Sequence, residues 1–239
     1  MIKIGLIGYG QMGRVLEATA RDRGHEIVFI IDAENREEMT PDLLRQANVA
    51  LEFTHPDAAF GNISSCLKAG VPVVSGTTGW LHRMDEVREL CEQHQCGLFH
   101  ASNFSLGVNL FMALNERLAG LMNRYPQYKP RLEEIHHTRK ADAPSGTAIA
   151  LINQLIEKID RIDNWSRELI PDPRQVPVTS IREGQVTGIH EIHFTSSEDT
   201  IMIRHEAFNR QGFATGAVLA AEFMPGKRGI FSMKDLLST

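Results

Sequence analysis

Residues 8–13 read Gly-Tyr-Gly-Gln-Met-Gly, a G-x-G-x-x-G spacing placed directly after the apolar run IKIGLIG and at the start of the helical stretch GQMGRVLEATARDRG. Strand, glycine turn, helix: that order narrows the available folds more than any other feature of the chain. The glycines permit a tight turn and close approach of backbone to a pyrophosphate, and the helix start supplies free N–H groups at the positive end of its dipole. Gly8, Tyr9, Gly10, Gln11, Met12 and Gly13 are therefore candidate cofactor contacts. The next β-branched run, EIVFIID, ends in Asp32, about twenty residues on, where a carboxylate accepts the ribose hydroxyls of a dinucleotide. The competing reading is a glycine-rich turn that binds nothing, with Asp32 a solvated acid at a strand end.

NVALEFT, VPVVSG and CGLFHAS continue the alternation of strands with helical or loop stretches, which predicts a parallel sheet with right-handed crossovers. Two of these strands run into SGTTG and ASNF. Ligands of open α/β sheets bind outside the carboxyl ends of strands, so Gly76, Thr77, Thr78, Ala101, Ser102, Asn103 and Phe104 are candidates for the nicotinamide half, against the alternative of plain turns. From about Asn103 the pattern changes. SLGVNLFMALNERLAGLMNRY is a long helix with apolar residues at Leu110, Phe111, Leu114, Leu118 and Leu121. KPRLEEIHHT is a strand, and VTSIREG, TGIHEIHFTSS and DTIMIRHEAF alternate apolar with polar residues, as antiparallel strands do. GFATGAVLAAEFM is a helix that can belong to either half. The fold class is α/β: a parallel-sheet domain followed by an α+β domain with a mixed or antiparallel sheet.

A formal net charge of -5 over 239 residues argues against a nucleic-acid partner, while leaving room for a local cationic pocket. Cys66, Cys91 and Cys96 are an odd number without zinc-like spacing and read as reduced thiols. No apolar run approaches membrane-spanning length, and the N-terminal run is too short and glycine-broken for a secretion signal. A cytoplasmic protein is expected.

EIHHTRKADAPSGTA, residues 134–148, concentrates two histidines, two cations and a Pro-Ser-Gly turn at the mouth of a helix. Ser145 suits a cap, leaving Gly146 and Thr147 to expose N–H groups, and Lys140 beside such a start makes an anion site for a carboxylate or phosphate. His136 and His137 are adjacent, so both reach one site only if the strand ends between them. A histidine titrating near neutrality is the natural proton donor for a reduction. No third ligand accompanies the pair at metal-site spacing, so no metal is expected.

These segments together resemble the 4-hydroxy-tetrahydrodipicolinate reductase (dihydrodipicolinate reductase) family. The resemblance rests on GLIGYGQMGR, SGTTG, ASNFSLGVN, the complete E-x-H-H-x-x-K-x-D-A-P-S-G-T run at residues 134–147, REGQVTGIHEIHF and FATGAVLAA. One departure is a shorter span from Asp32 to Val49. The resemblance implies a Rossmann-type dinucleotide-binding domain over residues 1–104, completed by a C-terminal segment at about 213–239. A domain for substrate binding and tetramerisation would occupy residues 105–212. It implies His136 and Lys140 as catalytic groups, and His137, Gly146 and Thr147 as substrate ligands for a small dicarboxylate. It also implies reduction by NADH or NADPH, in diaminopimelate and lysine synthesis. Asp32, followed by Ala33 and Glu34, favours NADH because a carboxylate repels a 2′-phosphate; Arg36 is the nearest cation that supports NADPH. Two alternatives stay open: another two-domain dehydrogenase acting on a small carboxylic acid, and a non-catalytic dinucleotide-sensing module. Neither has a use for the His136–Lys140 pair.

Overall fold

The protein is described by a computed structural model, over residues 1–168, 172–209 and 211–238. Two compact units divide the chain: Met1–Leu106 with Gln211–Thr239, and Gly107–Arg210.

In the first unit, β1 (Lys3–Ile7), β2 (Glu26–Ile31), β3 (Val49–Glu52), β4 (Val73–Ser75), β5 (Gly97–His100) and β11 (Gly229–Phe231) form one parallel sheet in the order β11-β5-β4-β3-β1-β2. Parallel strands need crossovers. Those from β1 to β5 contain α1 (Gln11–Asp22), the one-turn α2 (Pro41–Leu44), α3 (Pro56–Lys68) and α4 (Met84–Gln93). Both faces are buried, so the strands are nearly all apolar and successive residues feed opposite cores. Ile7, Ala50, Val73 and Leu98 pack with Ile63 and Leu67 of α3 and Val87 of α4. Leu6, Leu51, Val74 and Phe99 pack with Leu16 and Ala20 of α1 and with Ala217 and Ala221 of α7 (Gln211–Phe223). The helix that the sequence left unassigned thus packs in the first unit. Cys66, Cys91 and Cys96 are buried free thiols, and burial pushes the Cys91 thiol up to about 11.

The second unit holds a five-stranded sheet, β10-β9-β6-β8-β7, made of β6 (Lys129–His136), β7 (Asn164–Ser166), β8 (Gln175–Arg182), β9 (Gly188–Thr195) and β10 (Thr200–Ala207). It is mixed. Alternation predicts antiparallel strands for β8, β9 and β10, but β8 pairs with β6 in parallel and β9 pairs with β6 in antiparallel fashion. β6 therefore lies between β8 and β9, which the 183–187 turn joins in sequence. The crossover that makes β6 and β8 parallel contains α6 (Gly146–Lys158). Leu132, Ile192 and Phe194 pack under α5 (Leu106–Met122) and α6 through Phe111, Ala119, Leu151 and Leu155. Leu110, Leu114 and Leu121 of α5 stay about half exposed, at 51%, 51% and 54%. Among the described residues no helix is long and apolar enough to cross a membrane.

Candidate active site

β1 has β2 on one side and β3 on the other, so the glycine loop leaves the sheet where the strand order reverses, the place where such folds bind ligands. Gly8 has φ +99°, and a Cβ there would lie 2.1 Å from the Phe53 carbonyl oxygen. At Gly13 a Cβ would sit 2.2 Å from the Gly8 carbonyl oxygen, so only hydrogen lets α1 start this close to the strand. Gly10, the N-cap of α1, faces open space, and no acid in the first turn offsets the dipole. Gly8 through Gly13 and Asp32 line one cavity of about 530 Å³, within the range of cofactor sites. The cradle thus fits a dinucleotide.

Other side chains here are committed to the protein. Tyr9 donates its hydroxyl hydrogen bond to Glu17. Asp32 accepts at 2.8 Å from the Glu34 amide, which leaves its other oxygen without a recorded partner. Arg36 lines the same cavity, as do Phe53, Thr54, His55 and Asn62, which the sequence reading did not single out. Phe53, Thr54 and His55 had only their position after β3 as a sequence signal, and Asn62, inside α3, had none.

The SGTTG and ASNF segments follow β4 and β5, but several of their side chains face inward. Thr77 is buried; its hydroxyl donates to Glu52 at 3.1 Å and accepts from the Thr54 amide at 2.8 Å. Glu52 is itself fully buried and also accepts from Ser75 at 2.7 Å. Phe104 is buried against Phe53 and Phe99, with ring centroids 5.6 and 5.8 Å away. Asn103 accepts from the Ser105 amide at 2.9 Å. Thr78 and Ser102 are exposed, Gly76 and Ala101 partly so. What this rim offers a ligand is mainly backbone.

In the second unit β6 ends at His136, which is the condition for the two adjacent histidines to serve one site. The 183–187 turn latches the strand end: the Glu183 amide donates to the His136 carbonyl at 2.8 Å, and the Thr138 amide to Gly184 at 3.3 Å. His137 is half-buried, and its Nδ1 is buried without a hydrogen-bond partner among the described residues. Ser145 caps α6, accepting at 3.2 Å from the Ala148 amide. The first-turn amides of Gly146 and Thr147 have no partner inside the helix.

Lys140, expected to make an anion site with the helix start, has a partner in its own turn. It pairs with both oxygens of Asp142, at 2.8 and 2.9 Å. Asp142 is exposed, and such pairs contribute little to stability, so an incoming carboxylate can take the place that the Asp142 carboxylate now holds.

Beneath this segment lies a cluster assembled from three strands. Glu134 of β6 is fully buried; its Oε1 accepts from Arg182 Nη2 of β8 at 2.9 Å and from the Ser145 amide at 3.1 Å. Its Oε2 lies 3.0 Å from His136 Nδ1 and 3.9 Å from His190 Nε2 of β9. Burial opposes the charge on Glu134, but His136, Ser145, Arg182 and Ser180 overcome it and hold the carboxyl well below the usual carboxylate range. Burial, with His136 adding to it, pushes His190 down to about 4, so this ring is neutral at pH 7. Its Nε2 meets the Ser145 hydroxyl at 3.2 Å. Ligand atoms of Glu134, His136 and His190 all fall within 4.8 Å of one another. His136 thus has companions that spacing in the sequence does not show, Glu134 and His190 rather than His137, and the lack of a third ligand near the histidine pair in sequence does not by itself exclude a metal. Periodicity put His190 on a strand, but nothing local said which strand it would face.

A doubly wound parallel sheet with its glycine cradle at the strand-order reversal, together with a buried histidine–carboxylate cluster beside a helix start, marks the class of NAD(P)-dependent oxidoreductases. Residues 2–104 match the family described as "Dihydrodipicolinate reductase, N-terminus", and residues 107–237 match "Dihydrodipicolinate reductase, C-terminus". The chain belongs to the dihydrodipicolinate reductase family. It is 45% identical over 237 residues to the 4-hydroxy-tetrahydrodipicolinate reductase of Christiangramia forsetii, covering 99% of this chain and 98% of that one. The enzyme of the same name from Alkaliphilus metalliredigens is 33% identical over 235 residues, 95% of each chain. Among solved structures, the dipicolinate-bound dihydrodipicolinate reductase from Paenisporosarcina sp. TG-14 shares the fold. Its TM-score is 0.79 at 22% identity, over 97% of both chains. The family resemblance read from the sequence is borne out.

Proposed function

We propose that the reductase activity of this family is carried here by a cofactor held on the glycine loop and a dicarboxylate held by residues 136–147. The chain is a 4-hydroxy-tetrahydrodipicolinate reductase of lysine biosynthesis, an oxidoreductase using NADH or NADPH. Its substrate is reduced to tetrahydrodipicolinate with loss of water. The observation that carries the assignment of roles is the end of β6 at His136, which puts this buried histidine directly before the Lys140 turn and the α6 start.

A dinucleotide would lie along Gly8 to Gly13, with its pyrophosphate on the open N-terminus of α1 and its ribose hydroxyls on Asp32. Gly76, Thr77, Thr78 and residues 101–104 would meet the nicotinamide end. Bound there, the reduced nicotinamide supplies the hydride. Gly146 and Thr147 donate their amides to one substrate carboxylate, Lys140 exchanges Asp142 for it, and His137 offers Nδ1. His136, with Lys140 near it in the chain, supplies the proton. Arg182 already shares Glu134 Oε1, so a metal ion bound there would sit beside a guanidinium; we read the cluster as a proton site without metal. NADH is the preferred cofactor on this reading, because Asp32 lines the cavity and Arg36 is the one nearby cation among its lining residues. The second unit's sheet builds a homotetramer in the cytoplasm. The sheet face opposite α5 and α6, which would meet the other subunits, carries Glu191, His193 and Arg204, with Glu191 paired to both neighbours.

The test is NADH oxidation by the purified protein with substrate generated by dihydrodipicolinate synthase. Turnover that depends on the synthase product is expected; none with either cofactor refutes the assignment. Sedimentation at micromolar concentration reports the assembly.

A further inference from the structure

Glu134 is a fully buried carboxylate that the roles above leave unused. Its two oxygens are not equivalent. Oε1 is tied to fixed structural donors, Arg182 Nη2 and the Ser145 amide. Oε2 faces the imidazoles, nearer to His136 at 3.0 Å than to His190 at 3.9 Å. His190 has its Nε2 against the Ser145 hydroxyl and its ring 5.1 Å from that of His136, edge to face. On the far side of the His136 ring stands Gly188 of β9, where a Cβ would lie 3.0 Å from Nε2 and 3.3 Å from Cδ2. A carboxylate thus sits at one nitrogen and a missing side chain at the other. If Glu134 served only to balance Arg182, neither feature would be needed, and apolar residues of similar volume would generally be as stable.

We propose that Glu134 is the positioning residue for His136, holding Nδ1 toward its carboxylate so that Nε2, beside Gly188, is the nitrogen that exchanges a proton with substrate. This rests on His136 being the proton donor. The Nε2–H bond of the imidazolium breaks, the proton passes to the substrate anion left by reduction, and the bonding pair stays on Nε2. Solvent then reprotonates the ring. The anionic Oε2 stabilises the imidazolium and fixes the tautomer of the neutral form. Around the cluster, Arg182 of β8 shares Glu134 Oε1, the His190 ring of β9 stands beside that of His136, and His205 of β10 and Lys140 of the turn act on His190 by their charge; against His136 itself, Glu134 Oε2 at 3.0 Å is the near charged group.

Glu134→Gln keeps the volume and an acceptor for Arg182 and Ser145, but turns an NH2 group toward Nδ1. That forces the neutral ring to carry its proton on Nε2 and removes the charge supporting the imidazolium. The expected result is a kcat about 100-fold lower, with substrate KM and NADH affinity within about threefold of wild type. Taking away the anion disfavours the charged ring, so the descending limb of kcat against pH moves to lower pH. Nitrogen NMR of His136 should show the neutral tautomer switched from Nδ1–H to Nε2–H. Glu134→Asp, which keeps the charge, should recover part of the loss. A Glu134→Gln enzyme with kcat within about threefold and an unmoved limb, alongside a crippled His136→Gln enzyme, overturns the proposal. Normal turnover by His136→Gln removes its basis as well. If Glu134→Gln does not fold, Gly188→Ala tests the same geometry, because its methyl presses on Nε2 at a position outside the left-handed region. Loss of kcat with stability retained supports the proposal, and unchanged kcat overturns it.

Discussion

Acidification is expected to destabilise the second unit through His190. This imidazole is 4% exposed, and burial with its neighbour His136 holds it down to about 4 from an ordinary 6.5. A histidine free to titrate in the unfolded chain binds a proton below about 6.5, whereas the folded protein takes one up only near 4, so stability is lost as pH falls through that window. At pH 5 the unfolded chain has gained about 1.5 pH units of proton binding that the fold refuses. At about 1.4 kcal/mol per unit that is roughly 2 kcal/mol. Glu134 works in the same direction but later, because its folded pKa is depressed and its contribution begins to fade only below the ordinary carboxylate range. Urea unfolding of wild type and His190→Gln at several values between pH 7 and pH 5 isolates the effect. Glutamine reaches the Ser145 hydroxyl without titrating. The variant should be less stable than wild type at pH 7 and lose about 2 kcal/mol less on going to pH 5. Parallel stability curves for the two proteins would refute the reasoning.

Lys140→Ala should lose on the order of 10²–10⁴ in turnover while keeping its melting temperature, because its partner Asp142 is 57% exposed and is left in water rather than buried without a charge partner; a drop below about tenfold in steady-state kinetics would contradict the assignment. His137→Gln should raise substrate KM with kcat nearly intact, and a kcat defect as deep as that of His136→Gln would count against separate roles. Asp32→Ala should narrow the preference for NADH over NADPH in kcat/KM, since the group that repels a 2′-phosphate is gone; a wild type favouring NADPH tenfold would hand control of the pocket to Arg36 or another residue.

Much of this protein was legible locally. The glycine turn, the strand before it and Asp32 after it are set by neighbours in sequence, and backbone sterics leave a G-x-G-x-x-G turn few alternatives. Ser145 capped its helix as its spacing predicted, and the His136–His137 pair lay at a strand end. What went astray was non-local. β8 alternates as an antiparallel strand does, yet runs parallel to β6, since alternation specifies which face a side chain takes and says nothing about which strand lies beside it. The Lys140–Asp142 pair is local, but a spacing of two residues does not say that two side chains turn toward each other. Glu134 was visible as a letter in the motif, without a role. Only the pairing of β6 with β8 and β9 carries Arg182 and His190 to it across 48 and 56 positions of chain. A buried carboxylate stays charged by the cations and amides that tertiary packing delivers, so its charge, and the tautomer of the histidine beside it, are decided by the fold.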